Sequence, residues 1–211
     1  MRKLLLSMAL LVVTIAARAQ YDEGDITIQP RVGATFSNIT DGDKWKLNLT
    51  YGVEFEYYLT EQFSLAGGVL FTNQGCKYDV YSSDDEAFKI NVPSETVKMN
   101  FYYGTLPFTA NYYILPGLAL KAGIQPAFRV KANVVQGSEK LDFDKMVAFF
   151  FGNDVKLNKF DLSIPVGLSY EFKGITLDAR YNIGLTKLTS DGESVYNKVF
   201  VVTLGYKLGS H

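Results

Sequence analysis

From residue 160 onward the chain reads FDLSIPVGLSYEFKGITLDARYNIGLTKL, alternating apolar and polar side chains at nearly every step, pausing at Lys173-Gly174 and then resuming. Phe160, Leu162, Ile164, Val166, Leu168, Tyr170 and Phe172 share one face, opposite Asp161, Ser163, Pro165, Gly167, Ser169 and Glu171. After the pause, Ile175, Leu177, Ala179, Tyr181, Ile183 and Leu185 oppose Thr176, Asp178, Arg180, Asn182, Gly184 and Thr186. A period of two specifies strands, so this stretch is a two-faced hairpin.

The same rule predicts six further strands, roughly 26–37, 47–59, 63–78, 98–115, 118–134 and 198–208, giving eight in all. The fourth is least regular around Tyr102 to Gly104, where a bulge would restore its phase. Connections alternate in length. Tight links at Thr60–Gln62, Pro116-Gly117 and Lys173-Gly174 follow strands two, four and six, whereas long polar stretches, roughly 38–46, 80–97, 135–158 and 187–197, follow strands one, three, five and seven. Short turns at one end and long loops at the other predict an all-β fold, an eight-stranded antiparallel up-and-down transmembrane β-barrel with both termini at the short-turn, periplasmic end.

Periodicity alone does not say which face points inward. A soluble lipocalin-like carrier would turn its apolar residues in around a ligand. The composition of the polar face favours the opposite arrangement. It carries Gly33, Gly52, Gly68, Gly123, Gly167, Gly184 and Gly205, suited to a narrow cylinder and poor choices for solvent-facing strands. It also carries Arg31, Lys121, Arg129, Lys131, Arg180 and Lys207 against Glu54, Glu56, Asp161, Glu171 and Asp178. Unpaired buried charge is costly, so these eleven residues are expected to interlock in the lumen. Tyr57, Phe63, Tyr112, Tyr170, Phe172 and Tyr206 near the short turns, with Phe36, Phe71 and Tyr102 toward the long loops, fit interfacial girdles. The apolar face is therefore expected to meet outer-membrane lipid.

The ends and composition are consistent with an envelope protein. Arg2 and Lys3, the apolar run Leu4–Ala17 and the small-residue site Ala17-Arg18-Ala19 read as a signal peptide over residues 1–19, leaving a barrel domain over 20–211. Its removal takes the formal charge from −1 to about −4, without the basic excess of a nucleic-acid binder. A single cysteine, Cys76, excludes an intramolecular disulfide. The 29 Phe and Tyr residues and 18 glycines favour strands and turns.

Candidate chemistry is sparse. The one histidine, His211, is terminal, which excludes a histidine triad or HExxH site inside the barrel. Glu54 and Glu56 share a face and would serve a carboxylate-based membrane enzyme, but pairing with Arg129 or Arg180 is the simpler expectation. Asp84-Asp85-Glu86 lacks the spacing of a calcium loop, and no residue set requires a cofactor. Phe149, Phe150 and Phe151 fall in the third long loop, where they either contact a partner or fold over the barrel mouth. An eight-stranded lumen is just filled by side chains, which argues against a diffusion pore. The reading is a non-enzymatic barrel whose surface loops serve envelope integrity, adhesion or partner contact.

Several segments, in order, resemble the small outer-membrane β-barrel proteins of the PorT family: VGATFSNITDGD at 32–43, GVEFEYYLTEQFSLAGGVLFTNQGCK at 52–77 and YYGTLPFTANYYI at 102–114. FDLSIPVGLSYEF at 160–172, LDARYNIGLTKL at 177–188 and VTLGYKL at 202–208 complete the pattern. The resemblance implies an eight-stranded barrel in a Gram-negative outer membrane. The family's named member is linked to protein secretion across the outer membrane, but most relatives have no assigned task, and secretion is not carried over to this chain. Such barrels usually finish on an aromatic read by the barrel-assembly machinery, whereas Leu208 and then Gly209-Ser210-His211 end this chain, leaving Tyr206 for that role.

Overall fold

The hairpin closes as its pattern predicts. The computed structural model describes residues 21–39, 45–75, 77–79, 96–136, 139–142, 158–186 and 197–209. The predicted signal peptide, Cys76, Asp84-Asp85-Glu86 and Phe149 to Phe151 lie outside the described residues.

The strands are β1 (Ile26–Ile39), β2 (Lys46–Thr60), β3 (Phe63–Gln74), β4 (Lys77–Asp79), β5 (Thr96–Thr105), β6 (Phe108–Leu115), β7 (Leu118–Gln136), β8 (Glu139–Asp142), β9 (Phe160–Phe172), β10 (Ile175–Gly184), β11 (Asn197–Tyr206) and β12 (Leu208–Gly209). They make eight staves. β5 and β6 form one, since both pair with β3 on one side and β7 on the other. β12 extends β11 along β1, and β4 and β8 lengthen the sheet at the loop end. β1 pairs with both β2 and β11, so the antiparallel sheet closes on itself. Closure gives each of the eight staves two neighbours, which a bilayer demands because it offers no water to unpaired backbone groups.

Short turns follow their local chemistry. Lys173 and Gly174 both have positive φ, 51° and 80°, the primed two-residue turn whose twist matches the flanking strands. Gly117, at φ 80°, follows Pro116, and its carbonyl accepts the Glu171 amide at 2.7 Å, tying this turn to the adjacent one.

Alternation sets the two faces. On β10, Leu177, Tyr181 and Ile183 are exposed, whereas Asp178 and Arg180 are buried at 0% and 2%. On β2, Leu47, Leu49, Tyr51, Val53, Phe55, Tyr57 and Leu59 all face out while Thr50, Glu54, Glu56 and Tyr58 are buried within. The barrel is thus inside-out relative to a lipocalin, which removes the soluble-carrier alternative.

Three sequence expectations change. The predicted third strand breaks at Gly75, whose φ of 134° separates β3 from β4. The predicted fourth is interrupted at Leu106-Pro107, where Leu106 donates instead to the Pro126 carbonyl at 2.8 Å and the Pro107 carbonyl accepts from Gly68 at 3.1 Å. The bulge expected near Tyr102 lies on the neighbouring strand. Tyr102 pairs with Lys131 and Tyr103 with Arg129, leaving Val130 as the extra residue of β7.

The inward glycines have a sharper reason than crowding of lumen side chains. A Cβ at Gly123 would lie 1.9 Å from the Phe108 carbonyl oxygen, and one at Gly33 would lie 2.0 Å from that of Val202. Glycine at these positions lets adjacent backbones approach closely enough for a narrow barrel to curl.

Candidate functional site

The lumen is filled by two tiers of charge. In the middle tier, β1 supplies Arg31, β2 Glu54, β7 Lys121, and β10 Asp178 and Arg180, all from the inward phase of their strands. Arg31 Nε lies 2.7 Å from Glu54 Oε2 and its Nη1 lies 3.2 Å from Asp178 Oδ2. Arg180 contacts both carboxylates, Glu54 through Nη2 and Asp178 through Nε, each at 2.5 Å. Lys121 Nζ sits 3.0 Å from Asp178 and 3.7 Å from Glu54. Arg31 Nη1 also donates to Thr203 at 3.1 Å. Three cations and two anions leave this tier one positive charge in excess.

The second tier lies toward the short turns. Lys207 Nζ is 3.0 Å from Glu56 and 2.7 Å from Glu171. It also donates to the hydroxyls of Tyr58 at 2.6 Å and Tyr113 at 3.0 Å. Glu56 Oε1 accepts from Tyr113 at 2.7 Å, Asn111 at 2.8 Å and Ser64 at 2.5 Å. Tyr21, ahead of β1, stacks on Tyr58 with centroids 4.5 Å apart and donates to Glu171 at 2.9 Å. Lys207 Nζ lies 5.0 Å from the Tyr21 ring centroid, so three tyrosine rings surround one ammonium. Burial, and then the Glu171 carboxylate, push the Tyr21 phenol well above its ordinary range, keeping it a donor. One cation against two anions leaves this tier one negative charge in excess, the complement of the first.

The eleven residues expected in the lumen therefore divide. Arg31, Glu54, Lys121, Asp178 and Arg180 meet in one tier and Glu56, Glu171 and Lys207 in the other. Glu54 pairs with Arg180, but Glu56 takes Lys207 and not Arg129. Asp161 is buried nearer the loop end, accepting from Thr186 at 2.5 Å and Asn197 at 2.7 Å. Arg129 is half-buried at the bulge, opposite Tyr103. Lys131 corrects the expectation: it is exposed, because the extra Val130 reverses the phase of β7 just before it.

The sequence pattern places Tyr58 on the inward face with Glu54 and Glu56 but gives it no part in the charge network, and it misses Tyr21, Tyr113 and Lys46, whose buried Nζ donates to the Met99 carbonyl at 3.0 Å and to Asn100. The signal was available for all of them but Tyr21. Lys46 and Tyr58 keep phase with Thr50 and Glu54, and Tyr113 with Thr109 and Asn111, while Tyr21 precedes any strand and gives none. Above the tiers, Gln74, Gln125, Asp161, Ser163, Asn182 and Asn197, with the apolar Ala127 and Val199, line a small, mostly polar chamber. Beyond it Phe101, Tyr103, Ala127, Ala132 and Val134 form an apolar cluster.

A closed antiparallel cylinder with an apolar outer surface and a charged interior defines a transmembrane β-barrel of the outer membrane. The family model for the outer membrane protein beta-barrel domain matches residues 18–190, and the chain belongs to that family. Among solved structures, it is similar to the attachment invasion locus protein Ail of Yersinia pestis, with TM-score 0.51 and 17% identity over 88% of this chain and 99% of that one. Neisserial surface protein A gives 0.48 and 14% over 88% and 100%, and OprG of Pseudomonas aeruginosa 0.41 and 16% over 90% and 98%. The likeness to the first is one of fold. No curated protein matches the sequence.

Proposed function

We propose that the protein is a non-enzymatic outer-membrane anchor that holds its long loops at the cell surface for attachment, envelope integrity or contact with a protein partner. One observation carries this reading: two tiers of ion pairs, with side chains at most 7% exposed, close the lumen. A barrel closed in this way offers no wide path for solutes, so the surface left for contact outside the membrane is at its loop end. Glu54 and Glu56 belong to different tiers and each is held by cations, which favours structural carboxylates over an acid–base pair.

In this reading residues 1–19 are removed as a signal peptide, and both termini lie on the periplasmic side with the short turns. Tyr206 supplies the terminal aromatic for the barrel-assembly machinery. The narrower PorT affiliation is part of the proposal; a secretion role is not. Ail, which shares the fold, has been crystallised with the heparin analogue sucrose octasulfate, so an anionic sugar is one class of partner worth testing on the loops of this chain.

Planar-bilayer recording of the purified, refolded protein tests the closed-lumen anchor. The expected record is flat, with no steady pore. Large, sustained conductance overturns the reading.

A further inference from the structure

The polar chamber above the middle tier breaks the rule the rest of the lumen obeys. Glu54, Glu56, Glu171 and Asp178 each have a lysine or arginine nitrogen within 4 Å. Asp161, only 6% exposed, accepts from two neutral groups, the Thr186 hydroxyl and the Asn197 amide, and forms no ion pair among the described residues. A buried carboxylate without a cation is costly, and proteins resolve this by pairing or by binding metal.

Ala127 and Val199 close part of the chamber and the unpaired Tyr103 hydroxyl lies beside Asn197, while the rest of the lining is rich in side-chain oxygen. Asn197 must aim Nδ2 at the carboxylate, an obligate acceptor, which leaves Asn197 Oδ1 with no donor. Gln74 donates Nε2 to Thr72 at 3.2 Å, and its Oε1 likewise has no partner. Asn182 Oδ1 is the third such oxygen. Gln74, Asn182 and Asn197 are 3%, 4% and 3% exposed, and all three line the chamber with Asp161. The space accommodates a single water-sized body. A water donating to two of these oxygens, with the Tyr103 hydroxyl beside Asn197 donating to the third, would satisfy the oxygens without charge, but only a cation also gives Asp161 a positive partner.

We propose that this chamber binds a single small hard cation of the sodium class, held by the Asp161 carboxylate and the side-chain oxygens of Gln74, Asn182 and Asn197. Oxygen-only donors select a hard ion, and calcium sites are built from several carboxylates where this one has a single negative charge. The ion neutralises Asp161 and joins β3, β9, β10 and β11 through one centre, above the level at which the arginines do so.

The test is thermal unfolding of the full folded chain in detergent, in sodium chloride against N-methylglucamine chloride at equal ionic strength. Sodium is expected to raise the midpoint saturably by roughly 2–6 °C. Asp161→Asn and, separately, Asn182→Leu are expected to abolish that increment, and Lys173→Ala, in an exposed turn, to preserve it. Should Asp161→Asn fail to fold, Asn182→Leu decides, since it removes a ligand oxygen and no charge. Equal midpoints in the two salts, an increment that survives Asn182→Leu, or an increment given by calcium and not by sodium overturns the proposal.

Discussion

Arg180 reaches across the lumen to Glu54, 126 positions earlier in the chain, and joins them through Nη2 and Oε1 at 2.5 Å. The same guanidinium uses Nε to hold Asp178, two residues away on its own strand, at 2.5 Å. One side chain therefore ties β10 to β2 through the centre of the barrel while β1 and β11 join them around its wall. Arginine suits this position because its planar fork serves two carboxylates in fixed geometry, which a lysine ammonium cannot reproduce.

Arg180→Met leaves Glu54 with Arg31 and Lys121, and Asp178 with the same two cations, so the tier falls from a positive to a neutral sum but loses its shortest contacts. Removing one partner of a buried network is expected to cost about 3–5 kcal/mol. Urea unfolding of the protein in lipid vesicles should show that loss for Arg180→Met, and the double variant Glu54→Gln/Arg180→Met should lose less than the sum of the two single variants. Strict additivity would show that the contact carries no coupling.

At the short-turn end, Lys207 is the cation that faces both Glu56 and Glu171. Lys207→Met strands two buried carboxylates and is expected to cost at least as much as Arg180→Met in the same unfolding assay. Adding Glu171→Gln to Lys207→Met should recover part of the loss.

Two glycine substitutions separate close backbone approach from mere position in a strand. Gly123→Ala sets a methyl 1.9 Å from the Phe108 carbonyl oxygen, whereas the same methyl at Gly104 meets nothing within 4 Å. Gly123→Ala is expected to destabilise by about 1–3 kcal/mol or more, as overpacking does, and Gly104→Ala to stay within about 0.5 kcal/mol. Refolding yield into vesicles, read from the gel shift between heated and unheated samples, should rank them the same way.

The fold was legible because a period of two survives over long stretches such as Leu47 to Tyr58, and because turns such as Lys173-Gly174 announce themselves. Alternation assigns a face, however, and not a height along the barrel. It put Glu54 and Glu56 on one wall but could not tell that they fall in separate tiers, since that depends on the stagger between strands far apart in sequence. Lys131 was misplaced because one added residue, Val130, inverts phase without altering composition. Tyr113 was passed over for the opposite reason, since an aromatic body counts as apolar in the pattern while its hydroxyl belongs in a polar network, and Tyr58, inward by phase, was left out of that network for the same reason.

The lipid-facing surface makes a further prediction. Val166 lies midway along β9, outward and exposed. Val166→Arg is expected to cost about 2–4 kcal/mol in a bilayer, the penalty for arginine near the midplane. The same urea titration measures it, and a neutral outcome would place Val166 away from acyl chains.

The orientation of the two faces is tested most directly by tryptophan fluorescence in vesicles containing lipids brominated on their acyl chains. The native Trp45 is first changed to Phe, and single tryptophans are then introduced at Leu177, Tyr181 and Ile183, with Thr176 and Asn182 as inward positions. Strong quenching at Leu177, Tyr181 and Ile183 and protection at Thr176 and Asn182 is the predicted result. Protection of the first three with quenching of the other two would contradict the inside-out barrel on which the ion tiers, the closed lumen and the cation chamber all depend.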